Sequence, residues 1–224
     1  MSEITATMVK ALRERTGAGI MDCKVALQDC GGDTEKAVEQ IKKKGLAKAE
    51  KKAGAIAADG VIHAYIHPGS RIGVLVEVNC QTDFVSRSGD FTQFVDLVGM
   101  QIASMNAQYV RRADAPATDI EKQTALFRAQ CEEESQQTGK SRPAAVVDKI
   151  VAGKVEKWMS EVCLEEQPAI TDPDKTIAAL SLELTAKLGE KISVRRFTRF
   201  ELGEGIDKKQ GDLAGDVQAV ISGS

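Results

Sequence analysis

Residues 60–85 read Gly60-Val61-Ile62-His63-Ala64-Tyr65-Ile66-His67-Pro68-Gly69-Ser70-Arg71-Ile72-Gly73-Val74-Leu75-Val76-Glu77-Val78-Asn79-Cys80-Gln81-Thr82-Asp83-Phe84-Val85. The side chains repeat with period two. Ile62, Ala64 and Ile66 alternate with Val61, His63 and Tyr65; past the turn signal His67-Pro68-Gly69-Ser70, Ile72, Val74, Val76 and Val78 alternate with Gly73, Leu75 and Glu77. Successive side chains of a strand point to opposite faces, so two such runs joined by a short Pro/Gly segment predict a β-hairpin. A third strand is predicted far downstream, over Ile192 to Leu202, with Arg195, Arg196 and Arg199 marking one solvated face.

Helical periodicity surrounds the strands. In the first 45 residues, Ile4, Met8 and Leu12 recur every four residues before Gly17 and Gly19 interrupt them. A second helix runs from about Ile20 to Cys30 and stops at Gly31-Gly32. Asp33 then stands at an N-cap position, Ala37, Val38 and Ile41 form the inward face, and Gly45 is expected to end the third helix. Helices this short are marginal alone, so the three must pack on one another. Lys42, Lys43, Lys44, Lys48, Lys51 and Lys52 follow and read as a solvated linker helix in preference to an RNA-contacting patch, because residues 1–60 hold only 11 Lys and Arg against 9 Asp and Glu. Between the hairpin and the last strand, Phe91, Phe94, Val95, Val98 and Ile102 form one apolar stripe. A polar, acidic stretch spans Asp119 to Gln137, Pro143 opens a helix at its first position, and another helix covers about Thr176 to Leu188. Leu213, Val217 and Val220 suggest a short amphipathic C-terminal piece. The fold expected is α+β: a three-helix N-terminal domain with its lysine-rich linker over 1–54, an α+β core with an antiparallel sheet over 55–203, and a C-terminal module over 204–224.

Composition narrows the function. The 224 residues carry 30 Lys and Arg against 33 Asp and Glu, a net charge of −3, without the basic surplus of a dedicated nucleic-acid binder. No apolar run approaches the ~20 residues of a membrane helix. Met1-Ser2-Glu3-Ile4 lacks the basic and apolar regions of a secretory signal, so a cytoplasmic setting is expected. Cys23, Cys30, Cys80, Cys131 and Cys163 are odd in number and include no Cys-x-x-Cys, which points to a reducing compartment. Only His63 and His67 are available for a histidine-based triad or zinc site, and with no third ligand nearby in sequence they read as exposed hairpin histidines. Cys80 at a strand end is a nucleophile only if His63 pairs with it across the hairpin; otherwise it is a small buried hydrophobe. No phosphate-cradling glycine motif is present, so neither a cofactor nor direct nucleotide binding is expected.

Two stretches carry a resemblance. Leu12-Arg13-Glu14-Arg15-Thr16-Gly17-Ala18-Gly19-Ile20-Met21-Asp22-Cys23-Lys24-Val25-Ala26-Leu27 resembles the opening signature of the elongation factor Ts family, and Val76-Glu77-Val78-Asn79-Cys80-Gln81-Thr82-Asp83-Phe84-Val85 its second signature. Lys52-Ala53-Gly54, Ala57-Ala58-Asp59-Gly60 and Arg199-Phe200-Glu201-Leu202-Gly203-Glu204-Gly205-Ile206 continue it in the family's order. The resemblance implies a guanine nucleotide exchange factor for elongation factor Tu, with a ubiquitin-associated-like N-terminal domain, a core and a C-terminal helix, and no covalent chemistry. It implies that Arg13, Ile20 and Met21 dock on the partner's nucleotide domain, while Thr82, Asp83, Phe84 and Val85 intrude on its magnesium site. From the residues alone, Ile20 and Met21 fit a helical core stripe equally, and Phe84 fits core packing before the next helix. Phe84 to Pro143 is too short for the second core half of longer members, so the chain resembles a short form lacking that half and its coiled coil. A sheet with an open face or edge is normally covered or paired, and a homodimer through the core sheets is expected. A rival reading is an adaptor that uses residues 1–50 to hold a ubiquitin-like or other partner.

Overall fold

A computed structural model describes residues 4–138 and 142–206. Helix α1 (Ala6–Thr16) starts where Thr5 Oγ1 accepts from the Met8 N–H and ends at Gly17 with φ of 68°. Helices α2 (Ile20–Asp29) and α3 (Thr34–Lys51) follow, the latter capped by the Asp33 side chain on the Lys36 N–H. Val9, Leu12, Cys23, Ala26, Leu27 and Ala37 form a small core between the three.

The third helix does not end at Gly45 but runs through it and takes in most of the lysine-rich stretch. Gly45 is a packing position: a Cβ there would lie 3.3 Å from the Ala186 Cβ. Helix formers on both sides carry the backbone across one glycine at a cost near 1 kcal/mol.

Strands β1 (Asp59–Ile66) and β2 (Ile72–Cys80) form the expected hairpin, in register from Asp59–Cys80 to Ile66–Gly73. Gly69 and Ser70 turn it with φ of 92° and 54°. The short helix α4 (Asp83–Ser86) and the long α5 (Gly89–Met105) follow, then the paired helices α6 (Ala117–Thr138) and α7 (Ala144–Val162). Pro143 is the residue before α7 rather than its first helical residue. A two-stranded ribbon, β3 (Pro168–Ala169) with β4 (Asp172–Thr176), was not expected, being too short and proline-broken to show period two. Helix α8 (Ile177–Leu188) leads into β5 (Ser193–Glu201), antiparallel to β2, giving the order β1-β2-β5.

The sheet is covered on one face. Val74, Val76 and Val78 pack with Phe91, Phe94, Val95, Val98 and Ile102 of α5 and with Ile177 and Leu184 of α8. Gly99 lets α5 approach closely, since a Cβ there would lie 2.8 Å from the Tyr65 Cβ. The opposite face presents Ile62, Ile66, Leu75 and Phe200, between 50 and 68% exposed. Arg195, Arg196 and Arg199 do not share one solvated face. The register jumps from Glu77–Arg196 to Val78–Val194, so Arg195 is an extra, bulged residue, and both it and Arg196 bond the Glu77 carboxylate. Arg199 stands opposite Val74 and its side chain is only 12% exposed. The C-terminal helix with Leu213, Val217 and Val220 lies outside the described residues. Among those described, no helix is long and apolar enough to cross a membrane.

Candidate partner-docking site

The Thr82–Val85 segment stands where β2 gives way to α4. Gln81 and Thr82 have left the ladder and precede the helix, and their N–H groups are taken by one carboxylate. Glu190 Oε2 accepts from the Gln81 N–H (3.1 Å) and the Thr82 N–H (2.9 Å), while Oε1 accepts from the Thr82 hydroxyl (2.7 Å). Gln81 Oε1 in turn accepts from the Lys191 N–H at 3.1 Å. Below the segment, the Cys80 thiol donates to the Thr82 carbonyl at 3.2 Å, and Val85 packs against the main core. Above it, Ser88 accepts from the Phe91 N–H and starts α5.

On this base the four residues part company. Thr82 and Val85 are half-buried and held. Asp83 is half-buried, its carboxylate 2.9 Å from Arg87 one helical turn on. Phe84 points away from the protein and is 83% exposed, so the ring is no part of the core. The segment forms a single helical turn between β2 and α5.

The N-terminal module resolves the other open alternative. Leu12, Cys23, Ala26 and Leu27 fill its core, which leaves Ile20 55% and Met21 68% exposed in the first turn of α2. Val25, four residues after Met21 and hence on the same face, is 41% exposed and extends the patch. Arg13 is exposed on α1, and among the described residues nothing pairs with its guanidinium. The module contacts the core through α3, which packs on α8. Its exit is tied to the turn after α8, where Lys52 donates to the Gly189 carbonyl and Lys191 Nζ to the Ala55 carbonyl.

The elongation factor Ts family model matches residues 26–204, which include the whole hairpin, the Thr82–Val85 segment and the returning strand. The chain belongs to the elongation factor Ts family. It is 53% identical over 221 residues to elongation factor Ts of Desulforamulus reducens, covering 99% of each chain. It is 54% identical over 218 residues to that of Carboxydothermus hydrogenoformans, covering 97% of this chain and 98% of the relative. With Moorella thermoacetica elongation factor Ts the identity is 54% over 203 residues, 91% and 97% of the two chains. These elongation factor Ts relatives are matched over nearly their whole length, so the short form is theirs too.

Thiol and metal chemistry find no support in the elongation factor Ts fold seen here. Cys80 is buried, burial pushes its thiol above the ordinary value, and Asp59 adds to the shift. His63 pairs with Val76, four ladder positions or about 13 Å along the strand from Cys80, so it cannot lower that pKa. Nor are the histidines exposed as expected. His63 lies against α5 with Nε2 3.3 Å from Asp96, and His67 Nδ1 meets the Tyr65 hydroxyl at 3.2 Å. No cluster of three metal-ligating side chains occurs among the described residues. A cleft of about 430 Å3 beside Asn79 is lined by Arg111, Lys191 and Arg195. Each of these cations is already engaged, with Asp114, the Ala55 carbonyl and Glu77 respectively.

No local signal singles out Glu190 and Lys191, which follow a helix-ending glycine and lie over a hundred positions from the segment they hold. Val25 had a detectable signal, its four-residue spacing from Met21.

Proposed function

We propose that this chain is a guanine nucleotide exchange factor for elongation factor Tu, binding the GDP form, disturbing its magnesium site and releasing GDP so that GTP binds. The observation that carries the reading is Phe84: an aromatic ring left 83% in solvent on a helical turn that is otherwise fixed by hydrogen bonds and packing. A large exposed apolar side chain on a rigid base is what a binding surface requires. Arg13, Ile20 and Met21 of the module within residues 1–54 dock on the partner's nucleotide domain. Thr82, Asp83, Phe84 and Val85 of the core then reach the magnesium site.

Exchange needs no bond making. If the factor weakens nucleotide binding by some ratio, nucleotide weakens factor binding by the same ratio. Each tenfold of weakening diverts about 1.4 kcal/mol of interface energy into strain. The magnesium ion is an efficient target because it holds the phosphate charge. Phe84 supplies an apolar wedge, and Asp83 a carboxylate able to compete for groups around that ion. The chain itself holds no nucleotide, nucleic acid or membrane in this reading, and two copies pair through the open sheet face of Ile62, Ile66, Leu75 and Phe200. The deciding experiment is release of labelled GDP from purified elongation factor Tu with and without this protein. Acceleration at micromolar concentration is expected, and none would end the reading.

A further inference from the structure

We infer that Glu190 is a positioning residue for exchange, holding the Thr82–Val85 turn at the angle from which Phe84 projects; the inference rests on the exchange reading above. Between the last ladder pair of β2 and the first turn of α4, two consecutive N–H groups need acceptors. Glu190 supplies both from one carboxylate oxygen and takes the Thr82 hydroxyl with the other, at 2.7–3.1 Å. Such charge-assisted bonds are the strong class, and three on one planar carboxylate fix direction as well as distance. Thr82, at the helix N-cap position, makes no capping bond of its own, because its hydroxyl is turned to Glu190. Among the described residues no lysine or arginine pairs with Glu190: Lys52 goes to the Gly189 carbonyl and Lys191 Nζ to the Ala55 carbonyl. The carboxylate is therefore committed to the segment.

The turn of residues 189–191 is bonded on one side to the exit of the N-terminal module and on the other to the base of Phe84. It lies where a change in one partner-facing part is felt by the other. Glu190 works through Thr82 and Phe84, so its loss lowers the productive step more than it lowers docking, which Arg13, Ile20 and Met21 provide.

The test uses full-length Glu190→Ala, Glu190→Gln and Phe84→Ala proteins. GDP release is measured against factor concentration, and amide hydrogen exchange is followed at Gln81 and Thr82. Glu190→Ala should lower the maximal release rate about tenfold, as a small misplacement of a positioned group does. The half-saturating concentration should stay within about twofold, since docking is intact. The Thr82 amide should lose protection. Glutamine can accept both N–H groups with its oxygen and donate to Thr82 Oγ1 with its amide, so Glu190→Gln should recover most of the rate. Glu190→Ala releasing GDP at the full rate while Phe84→Ala is slow overturns the role of Glu190 and leaves the wedge standing. Phe84→Ala at the full rate removes the wedge and the role of Glu190 with it, whereas no acceleration by the wild-type protein removes the exchange reading itself; Thr82 protection then still shows whether the carboxylate holds the turn. Should Glu190→Ala lose its thermal transition, Thr82→Val removes the hydroxyl donor alone. Slower release at unchanged half-saturation then supports the inference, and an unchanged rate overturns it.

Discussion

Replacing Phe84 with alanine separates binding from folding in one residue, and both magnitudes follow from its exposure. The ring is 83% exposed, so folding removes only a small part of it from water. Full burial of such a side chain is worth roughly 1.5–3 kcal/mol, which leaves about 0.3–0.5 kcal/mol at stake in the free protein. For a chain of this size that is a shift in Tm of about 1–2 °C. If the partner buries the whole ring, the loss is the full 1.5–3 kcal/mol, or about 10- to 150-fold in the assisted rate. The assay is release of fluorescent GDP from elongation factor Tu over a range of factor concentrations, with circular dichroism and thermal melting alongside. A fall in the maximal rate at constant half-saturation means the ring seats only as nucleotide leaves; a rise in half-saturation alone means it seats equally before and after. Excess magnesium should slow the wild-type factor and have less effect on the variant. A Tm lower by many degrees would show that the ring is structural, and an unchanged rate would show that the segment is not the wedge.

Arg13→Ala should raise the half-saturating concentration without moving the Tm, because the side chain is exposed and unpaired among the described residues; interface arginines are frequent hot spots. Glu77 bonds Arg195 and Arg196, which hold its carboxyl down from 4.5 to about 2. Its folded pKa being depressed, the stabilisation is complete above pH 4.5 and is lost as pH falls from there toward 2. Glu77→Gln should therefore melt lower at pH 7 and lose less on acidification across that window. Gln101 is fully buried, donating to Gln167 Oε1 and the Pro168 carbonyl and accepting from the Ile170 N–H. Gln101→Leu should cost about 3 kcal/mol in urea unfolding, because these partners are left unsatisfied. Leu75→Asp puts a charge on the open sheet face, and light scattering at tens of micromolar should turn a dimeric mass into a monomeric one; a wild-type mass already monomeric would refute the sheet-paired dimer.

How much of this was legible depends on the range of the forces involved. The β1–β2 hairpin was visible because Val74, Val76 and Val78 bury one face and period two is a local property. The stripe of α5 was visible for the same reason at helical spacing. Gly45 misled because a glycine reads alike whether it ends a helix or admits another helix, and only the approach of Ala186 decides. The three arginines of β5 misled because a single bulged residue shifts the alternation, and a bulge is set by the neighbouring strand rather than by the arginines. Gln101 and Glu190 carry no local signal at all. Each is a polar residue whose partners lie at least 66 positions away, and such networks are fixed only once the fold brings their ends together.

The residues that sequence reasoning left open, Ile20, Met21 and Phe84, are those where local preference and position disagree. Each is apolar and fits core packing, yet each stands in water. A protein tolerates such disagreement where another molecule completes the burial. For the proposed exchange, exposure alone does not suffice. A surface that binds the nucleotide-bound and nucleotide-free partner equally shifts nothing, however tightly it binds. The docking patch on α1 and α2 supplies affinity, and the Phe84 turn must supply the difference between the two states. That division works only if a displacement resisted at Phe84 is carried back to the docked module, since a loosely attached ring would retreat before it displaced anything. The connections run through Glu190 to Thr82, through Lys191 to Ala55 and through Lys52 to Gly189. In the proposed exchange, three residues of one turn thus join the part that would hold the partner to the part that would strain it, and the stiffness of that joint would set how much docking energy reaches the nucleotide site.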